Sequence, residues 1–206
     1  TNKMSRYLNA KIRIVRRLGP LPGLTKKITT RTRYPGQHDR KPGASSEYAI
    51  RLDEKQKLKY NYGISEKQLY NYIKKARKMT GSTGILLLQM LEMRLDNIVF
   101  RLGFATTMPE SRQLVNHGHI LVNGQSVSIA SFQCKKGDVI TVKPKSKTLV
   151  ESIRETNANH ISSIPLPKFL ELNAEELKGE IKYMIEREQV GLTINELLVV
   201  EYYSRK

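Results

Sequence analysis

The chain has 206 residues, which is enough for one large domain or two modest ones with a hydrophobic core. Its net charge of +17 and pI near 10.0 indicate a polyanionic partner, either a nucleic acid or an anionic membrane surface. The longest apolar run, residues 85–88, is far shorter than the roughly 20 residues that cross a bilayer, which disfavours the membrane. A single cysteine excludes a disulfide framework and a cysteine-based zinc site. We expect no secretory signal peptide, because the first residues lack an apolar run.

Positive charge is concentrated in the first third of the chain. Residues 1–60 hold 16 Lys and Arg against 4 Asp and Glu, whereas residues 144–206 hold 9 against 10. Residues 1–44 are also rich in Gly-Pro and Pro-Gly pairs, and such a segment buries too little apolar area to offset its ordering entropy. We therefore expect an extended arm that becomes ordered on RNA. Its expected RNA contacts are Arg6, Lys11, Arg13, Arg16, Arg17, Lys26, Lys27, Arg31, Arg33, His38, Arg40 and Lys41.

Residues 45–93 predict three helices. The first begins near Ser45 and ends at Gly63, and the second has Ser65 as its cap with Gln68 at capping-box spacing. The third covers residues 85–93. On the first helix we expect RNA contacts from Lys55, Lys57 and Lys59. The second helix has a lysine-rich face, of which we expect about half to contact phosphate; this face comprises Lys67, Lys74, Lys75, Arg77 and Lys78.

Residues 94–142 predict two short helices followed by small strands and tight turns. The first helix starts near Asp96, and the second opens at Thr107 with Glu110 at capping-box spacing. Asn123-Gly124 between apolar strands predicts a hairpin, because both central residues of a type I′ turn need positive φ. A module this small buries little, so its basic side chains, Arg101 included, should face outward.

These residues resemble the small RNA-binding module that is named after small-subunit ribosomal protein four. The matching residues are Ser111 to Val115, His117-Gly118, Val122 to Gly124, Val127, Ile129 to Ser131 and Gly137 to Val139. In that family the second helix and the hairpin lay a basic face on folded RNA. The resemblance therefore implies RNA contacts from Arg112, Gln113, His117, His119, Asn123, Lys135 and Lys136.

The flanking segments resemble the ribosomal family itself. Matches in the arm include residues 4–7, 16–19 and 35–38, and the run at 18–25 is similar to the plastid and cyanobacterial branch. Many bacterial members carry zinc-binding cysteines in this arm, whereas this arm has none, so no metal or other cofactor is expected. In the family, an ending like residues 195–204 packs back on the N-terminal helical domain.

The resemblance implies an α+β organisation in which a small module is inserted into a mostly helical domain. We expect an extended basic arm at 1–44, a helical domain built from 45–93 with 168–206, the two-helix and β-hairpin module at 94–156, and a linker at 157–167. The sequence assigns no role to residues 143–164.

Three features suggest other chemistry, and each has a simpler interpretation. Arg94-Leu95-Asp96 is similar to the nucleophile motif of pseudouridine synthases, but Asp96 opens a helix here, where aspartate is a favoured cap. His117 and His119 are too few ligands for a zinc site. Cys134 beside Lys135-Lys136 would have a lowered pKa if the lysines dominated, but no base is positioned by the sequence, and we expect it to be inert.

The resemblance implies a structural, non-enzymatic constituent of the small ribosomal subunit. It would bind 16S-type rRNA directly, nucleate assembly of the 5′ domain and support translational accuracy, with small-subunit protein five as a neighbour near the mRNA entry. The expected location is the chloroplast, with a bacterial or cyanobacterial cytoplasm as the alternative. Two other functions stay open: an rRNA-modifying enzyme of the pseudouridine synthase type, and a free-standing ribosome-associated stress protein with the same module.

Overall fold

The computed structural model describes residues 7, 9–31, 33–36, 46–162 and 165–204. The chain forms two compact units. The discontinuous unit comprises Thr1–Leu87 with Leu192–Lys206, and the inserted unit comprises Leu88–Gly191. The α+β class is confirmed, since helices dominate the described part and one antiparallel sheet accompanies them.

The discontinuous unit is helical throughout its described secondary structure. Its helices up to the first boundary are α1 (Lys11–Leu18), α2 (Glu47–Asn61), α3 (Glu66–Ala76) and the start of α4 (Thr83–Glu92), which crosses into the inserted unit. Ser46 caps α2 by accepting a hydrogen bond from Ala49 N at 3.3 Å. The predicted capping box of α3 is confirmed: Ser65 Oγ accepts from Gln68 N, and Gln68 Oε1 accepts from Ser65 N.

Part of the expected extended arm is folded. α1 buries Ile14 and Leu18, and the loop after it buries Leu21 and Leu24. Gly23 N also donates to Asn61 Oδ1 of α2 at 3.0 Å. The prediction of an extended arm was therefore wrong for residues 11–24, because four apolar side chains in this range are buried and α1 packs against α2.

Among its described residues, the inserted unit combines a five-stranded antiparallel sheet with four α-helices of its own. The helices are α5 (Leu95–Arg101), α6 (Met108–Asn116), α7 (Lys147–Thr156) and α8 (Ala158–Ser162). The strands are β1 (Ile120–Val122), β2 (Gln125–Ser126), β3 (Val139–Val142), β4 (Leu170–Asn173) and β5 (Lys178–Ile181), in the order β2-β1-β3-β5-β4. Asn123 and Gly124 have φ of 50° and 80°, as the predicted hairpin turn requires.

The sheet extends past the predicted module. β5 pairs with β3, with Ile140 opposite Gly179, and β4 pairs with β5. A side chain at Gly179 would collide with Leu102, the residue after α5, so the absence of a Cβ lets the sheet lie close to the end of the helix. Residues 168–191 thus belong to the inserted unit and not, as expected, to the helical domain, because their backbone completes the sheet.

The chain returns to the discontinuous unit in α9 (Glu196–Ser204), which packs along α2. Val199 and Tyr203 of α9 are buried. Arg51 Nε of α2 donates to Glu201 Oε2 at 2.8 Å, and Glu54 Oε2 accepts from Asn195 N at 2.8 Å. Residues 192–204 thus belong to the same compact unit as the N-terminal helices, and the range expected to be a linker, 157–167, includes α8.

The cap at the start of α6 differs from the predicted capping box. α6 begins after Thr107, but the Thr107 side chain makes no cap hydrogen bond. The Glu110 carboxylate instead reaches one residue further back and accepts from both the backbone N and the Oγ1 of Thr106, each at 2.6 Å. The helix start was therefore predicted correctly and its capping contact was not.

Candidate nucleic-acid interface

On the discontinuous unit, α1 and the loop that follows it present most of the expected cations to solvent. Because α1 buries Ile14 and Leu18, the side chains of Arg13 and Arg17 lie on its exposed face. The loop adds four exposed cations, namely Lys26, Lys27, Arg31 and Arg33. Lys11 is half-buried. The expected contacts Arg6, His38, Arg40 and Lys41 lie outside the described residues.

Two arginines of α1 also have partners within the protein. Arg16 donates from Nε to the Arg33 carbonyl at 2.9 Å and from Nη2 to the Tyr34 carbonyl at 3.1 Å, so it holds the loop against α1. Arg17 Nη2 lies 3.3 Å from Asp53 Oδ1 of α2. That second pair is exposed and hence weak, so the Arg17 guanidinium can exchange Asp53 for a phosphate.

The lysines of α2 are less available than expected. Lys55 is 4% exposed, its Nζ lies 3.0 Å from Glu66 Oε2, and it sits 4.9 Å from the centre of the Tyr202 ring. A buried, paired ammonium has no exposed charge to offer a phosphate, so we remove Lys55 from the expected contacts. Lys57 pairs with Glu54 at 2.5 Å and Lys59 approaches Glu66 at 3.8 Å, and both stay partly exposed.

Helix α3 carries the lysine-rich face of which about half was expected to contact phosphate. The side chains of Lys67, Lys75 and Lys78 are exposed and have no hydrogen-bond or ion-pair partner among the described residues. Arg77 donates to Ser204 Oγ at 2.9 Å, and Lys74 lies over the Tyr70 ring at 4.5 Å. The signal was present in the sequence, because the buried residues Leu69, Ile73 and Ala76 define the opposite face.

On the inserted unit, the exposed candidates lie at the end of α6 and in the turn before β3. Gln113 and His117 are exposed, and so are Lys135 and Lys136. The Asp138 carboxylate joins two turns, because Oδ1 accepts from Asn123 Nδ2 at 2.9 Å and Oδ2 accepts from Lys135 N at 2.7 Å. Asn123 Oδ1 in turn accepts from Val139 N. The Asn123 amide is thus occupied in fixing the turn that presents the two lysines.

Asp96 occupies the centre of a buried ion cluster that we call the Asp96 cluster. Its carboxylate accepts from Arg94 at 2.7 and 3.0 Å and from Arg112 at 2.7 and 3.2 Å. Arg94 and Asp96 are essentially unexposed, and the Arg112 side chain is 25% exposed. Arg112 therefore positions α6 against α5 with the same guanidinium that was expected to face RNA. Asp96 is also not the cap of α5, since that position is Arg94.

A second buried ion pair corrects another expectation. Arg101 is 6% exposed and donates to the fully buried Glu92 carboxylate at 2.9 Å, while Asn97 Nδ2 donates to the same carboxylate at 2.6 Å. Arg101 was expected to face outward, but its charge is used to pair a carboxylate inside the unit. The periodicity of apolar residues within one helix cannot predict this pairing, because Glu92 lies on α4 and Arg101 lies on α5.

His117, His119 and Cys134 are the remaining candidates for other chemistry. His119 Nδ1 lies 2.8 Å from Ser146 Oγ, and its ring centre is 6.0 Å from that of His117. No group of three or more His, Cys, Asp or Glu is arranged for a metal ion within the described residues. Burial raises the pKa of Cys134 to about 12, with Asp138 and Asp96 adding to the effect, so the thiol is not activated. Among the described helices, none has the length and apolar content to cross a membrane.

Comparison with known proteins decides the family. The model of the ribosomal protein S4/S9 N-terminal domain matches residues 6–92, and that of the S4 domain matches residues 93–140. Small ribosomal subunit protein uS4c of Porphyra purpurea is 59% identical over 205 residues, covering 98% of this chain and all of that protein. The chain belongs to the ribosomal protein uS4 family.

Other uS4 relatives are similar over the same span. The uS4 protein of Thermosynechococcus vestitus is 57% identical and the uS4c protein of Rhodomonas salina is 58% identical, each covering 98% of this chain and the whole relative. The resemblance to the small-subunit protein four family is thereby confirmed. The S4-domain match ends inside β3, so β4 and β5 extend the sheet beyond that domain.

Proposed function

We propose that this chain is a structural, rRNA-binding constituent of the small ribosomal subunit. The observation that carries the proposal is the match to uS4 and uS4c proteins over their entire length, which leaves no room in those relatives for an added catalytic domain. The relatives named uS4c support a chloroplast ribosome, and the uS4 proteins of cyanobacteria support the bacterial alternative.

The protein would hold RNA as an electrostatic clamp. Each Lys or Arg that replaces a condensed counterion contributes about 0.9 to the slope of log affinity against log salt on duplex DNA, and about 0.7 on single strands. Recognition would rest on shape, phosphate and 2′-hydroxyl contacts, because the major groove of A-form RNA is too narrow for side chains. On the discontinuous unit the proposed contacts are Lys11, Arg13, Arg17, Lys26, Lys27, Arg31, Arg33, Lys57, Lys59, Lys67, Lys75 and Lys78. On the inserted unit they are Gln113, His117, His119, Lys135 and Lys136.

The finer assignment follows the family resemblance. We propose that the protein binds a helix junction in the 5′ domain of 16S-type rRNA and nucleates assembly there. Small-subunit protein five would be its neighbour near the mRNA entry, and the contact would support decoding accuracy. The basic surfaces of both units support an RNA-bound position, whereas protein neighbours are inferred from the resemblance alone.

The enzymatic alternative is disfavoured by the Asp96 cluster. A nucleophilic aspartate must reach its substrate, but the Asp96 side chain is fully buried and its two oxygens accept from two guanidinium groups. Full-length relatives are also named as ribosomal proteins and not as enzymes.

Sedimentation of the protein from its own cells tests the proposal. We expect it in stoichiometric amount in small subunits after a high-salt wash, because many phosphate contacts act together in the assembled particle. Cosedimentation with large subunits alone would indicate the stress protein instead. Tritium release from uridine-labelled rRNA, lost on Asp96→Ala, would indicate the enzyme.

A further inference from the structure

A cavity of about 310 Å³ lies between α1 and α2 of the discontinuous unit. Its volume is at the lower end of the range for pockets that hold small molecules. Apolar side chains of both helices form part of its wall. The chemically distinctive part of the wall consists of Tyr7, Arg13, Arg17, Gln56 and Tyr60. Binding of the RNA backbone by charge alone needs no such cavity. The residues of the cavity wall therefore indicate a separate ligand that fits the cavity.

Two aromatic rings line the cavity. Tyr7 and Tyr60 meet edge to face, with ring centres 5.7 Å apart and an angle of 71° between the planes. Tyr7 is 39% exposed, and Lys59 Nζ lies 5.8 Å from the centre of the Tyr60 ring. Aromatic side chains beside cations are the usual stacking platform for unpaired nucleic-acid bases. The rings therefore favour a planar ligand.

Two cations of α1 line the same cavity. Arg13 is exposed, and its guanidinium has no hydrogen-bond or ion-pair partner among the described residues. Arg17 pairs with Asp53 at 3.3 Å, with side-chain exposures of 59% and 37%. Exposed pairs of this kind contribute little to stability, so both guanidinium groups are available to an anion such as a phosphate.

Gln56, which lines the cavity, carries an unpaired acceptor. The side-chain oxygen of Gln56 is buried and has no hydrogen-bond partner among the described residues. Such atoms are rare in folded proteins because an unpaired buried acceptor is costly. The amino and imino N–H groups on the edge of a base are suitable donors. An acidic peptide would satisfy the arginines but would bring no planar ring to the tyrosines.

We propose that this cavity holds one unstacked nucleotide of the bound RNA. Its base lies against Tyr60 and Tyr7, its edge donates to Gln56 Oε1, and its phosphate pairs with Arg13 and Arg17. The proposal rests on the proposed rRNA-binding function and deepens it, because it adds one base-specific pocket to a surface that otherwise reads shape and charge.

Ultraviolet crosslinking of the full-length protein to a transcript of the small-subunit rRNA 5′ domain tests the pocket. After nuclease digestion, mass spectrometry is expected to find a nucleotide adduct on Tyr7 or Tyr60. Tyr60→Leu should remove the adduct at that position and weaken binding by about 5- to 150-fold, the range for loss of one stacked base. Tyr60→Phe keeps the ring and should bind like the wild type. Gln56→Leu should weaken binding by about 2- to 12-fold.

Matched variants separate the pocket from the overall charge. Arg13→Gln and Arg31→Gln each remove one charge from the same unit, but only Arg13→Gln should reduce crosslinking in the cavity. Circular dichroism and thermal melting confirm that each variant is folded. If the protein formed an adduct with free 5′-AMP but not with the transcript, the proposal that the nucleotide belongs to the bound RNA would be overturned.

The pocket and the proposed function can fail separately. Tight transcript binding with no adduct in the cavity, and with Tyr60→Leu equal to the wild type, would overturn the pocket and leave the proposed function intact. Absence of transcript binding by the folded wild-type protein would overturn both.

Discussion

At the scale of single residues, several cations that resemble RNA contacts are used inside the protein. Arg112 pairs with the fully buried carboxylate of Asp96, whereas Lys55 is itself buried and pairs with the partly exposed carboxylate of Glu66. A buried charge without its partner is strongly destabilising, so these cations are committed to the fold before any RNA arrives. The identity of a basic residue therefore says little about its role until its burial is known.

Arg112→Glu is predicted to destabilise the protein in the absence of RNA. The new carboxylate would face Asp96, and the loss of a buried partner costs about 3 kcal/mol in the free energy of unfolding. Chemical denaturation of the purified protein measures the loss. Lys136→Glu is the matched control, because it reverses a charge on an exposed turn and should leave the unfolding free energy nearly unchanged. Equal stability of the two variants would contradict the structural role of Arg112.

Glu66 is predicted to make the protein sensitive to acid. Burial acts to raise the pKa of Glu66, but hydrogen bonds from Tyr203 and Lys55 outweigh it and hold the pKa below the usual 4.5. A lowered folded-state pKa adds stability above the unfolded pKa, and this stability is lost as pH falls through the folded value. Glu66→Gln should thus be less stable than the wild type at pH 7, with the difference shrinking below about pH 4.5.

Denaturant titrations at several pH values check the Glu66 prediction. Glu175→Gln, at an exposed position of the inserted unit, serves as the control and should be displaced little from the wild-type curve at any pH. A Glu66→Gln penalty that stays constant down to pH 3 would show that the charge of Glu66 is not what stabilises the unit.

At the scale of secondary structure, the close approach of β5 to α5 depends on one missing side chain. Gly179→Ala is predicted to destabilise the inserted unit by about 1–3 kcal/mol, the usual cost of overpacking, because its Cβ would collide with Leu102. Thermal or chemical denaturation measures the change. The double variant Gly179→Ala with Leu102→Ala should lose less stability than the sum of the losses of the two single variants, since Leu102→Ala removes the clash. Strict additivity would show that the collision is relieved elsewhere.

At the scale of the whole molecule, the charges on the two units are predicted to act on one RNA. Replacing Lys67, Lys75 and Lys78 by Gln should lower the salt slope of transcript binding by up to about 2.7, if each contacts a duplex-like phosphate. Replacing Lys135 and Lys136 should lower it by up to about 1.8. Filter binding across a salt series measures both, and the combined variant should show the sum. A combined effect equal to one set alone would show that the RNA contacts a single unit.

The amino-acid sequence by itself determined the local structure and the family. The caps at Ser46 and Ser65, the turn at Asn123-Gly124 and the limits of the main helices depend on backbone preferences that extend over only a few residues. The family could also be recognised from the sequence, because motifs such as residues 111–115 and 18–25 are contiguous in the chain.

Only the tertiary structure decided which charged residues are available and where the two units divide. The burial of Lys55 depends on Glu66 and Tyr202, the burial of Arg101 depends on Glu92, and β5 joins the sheet through β3. The folding of α1 depends on its packing against α2, which accompanies the burial of Ile14 and Leu18. The desolvation and ion pairing of a charged residue depend on neighbours that are distant in sequence. Hydrophobic periodicity and composition therefore cannot predict them.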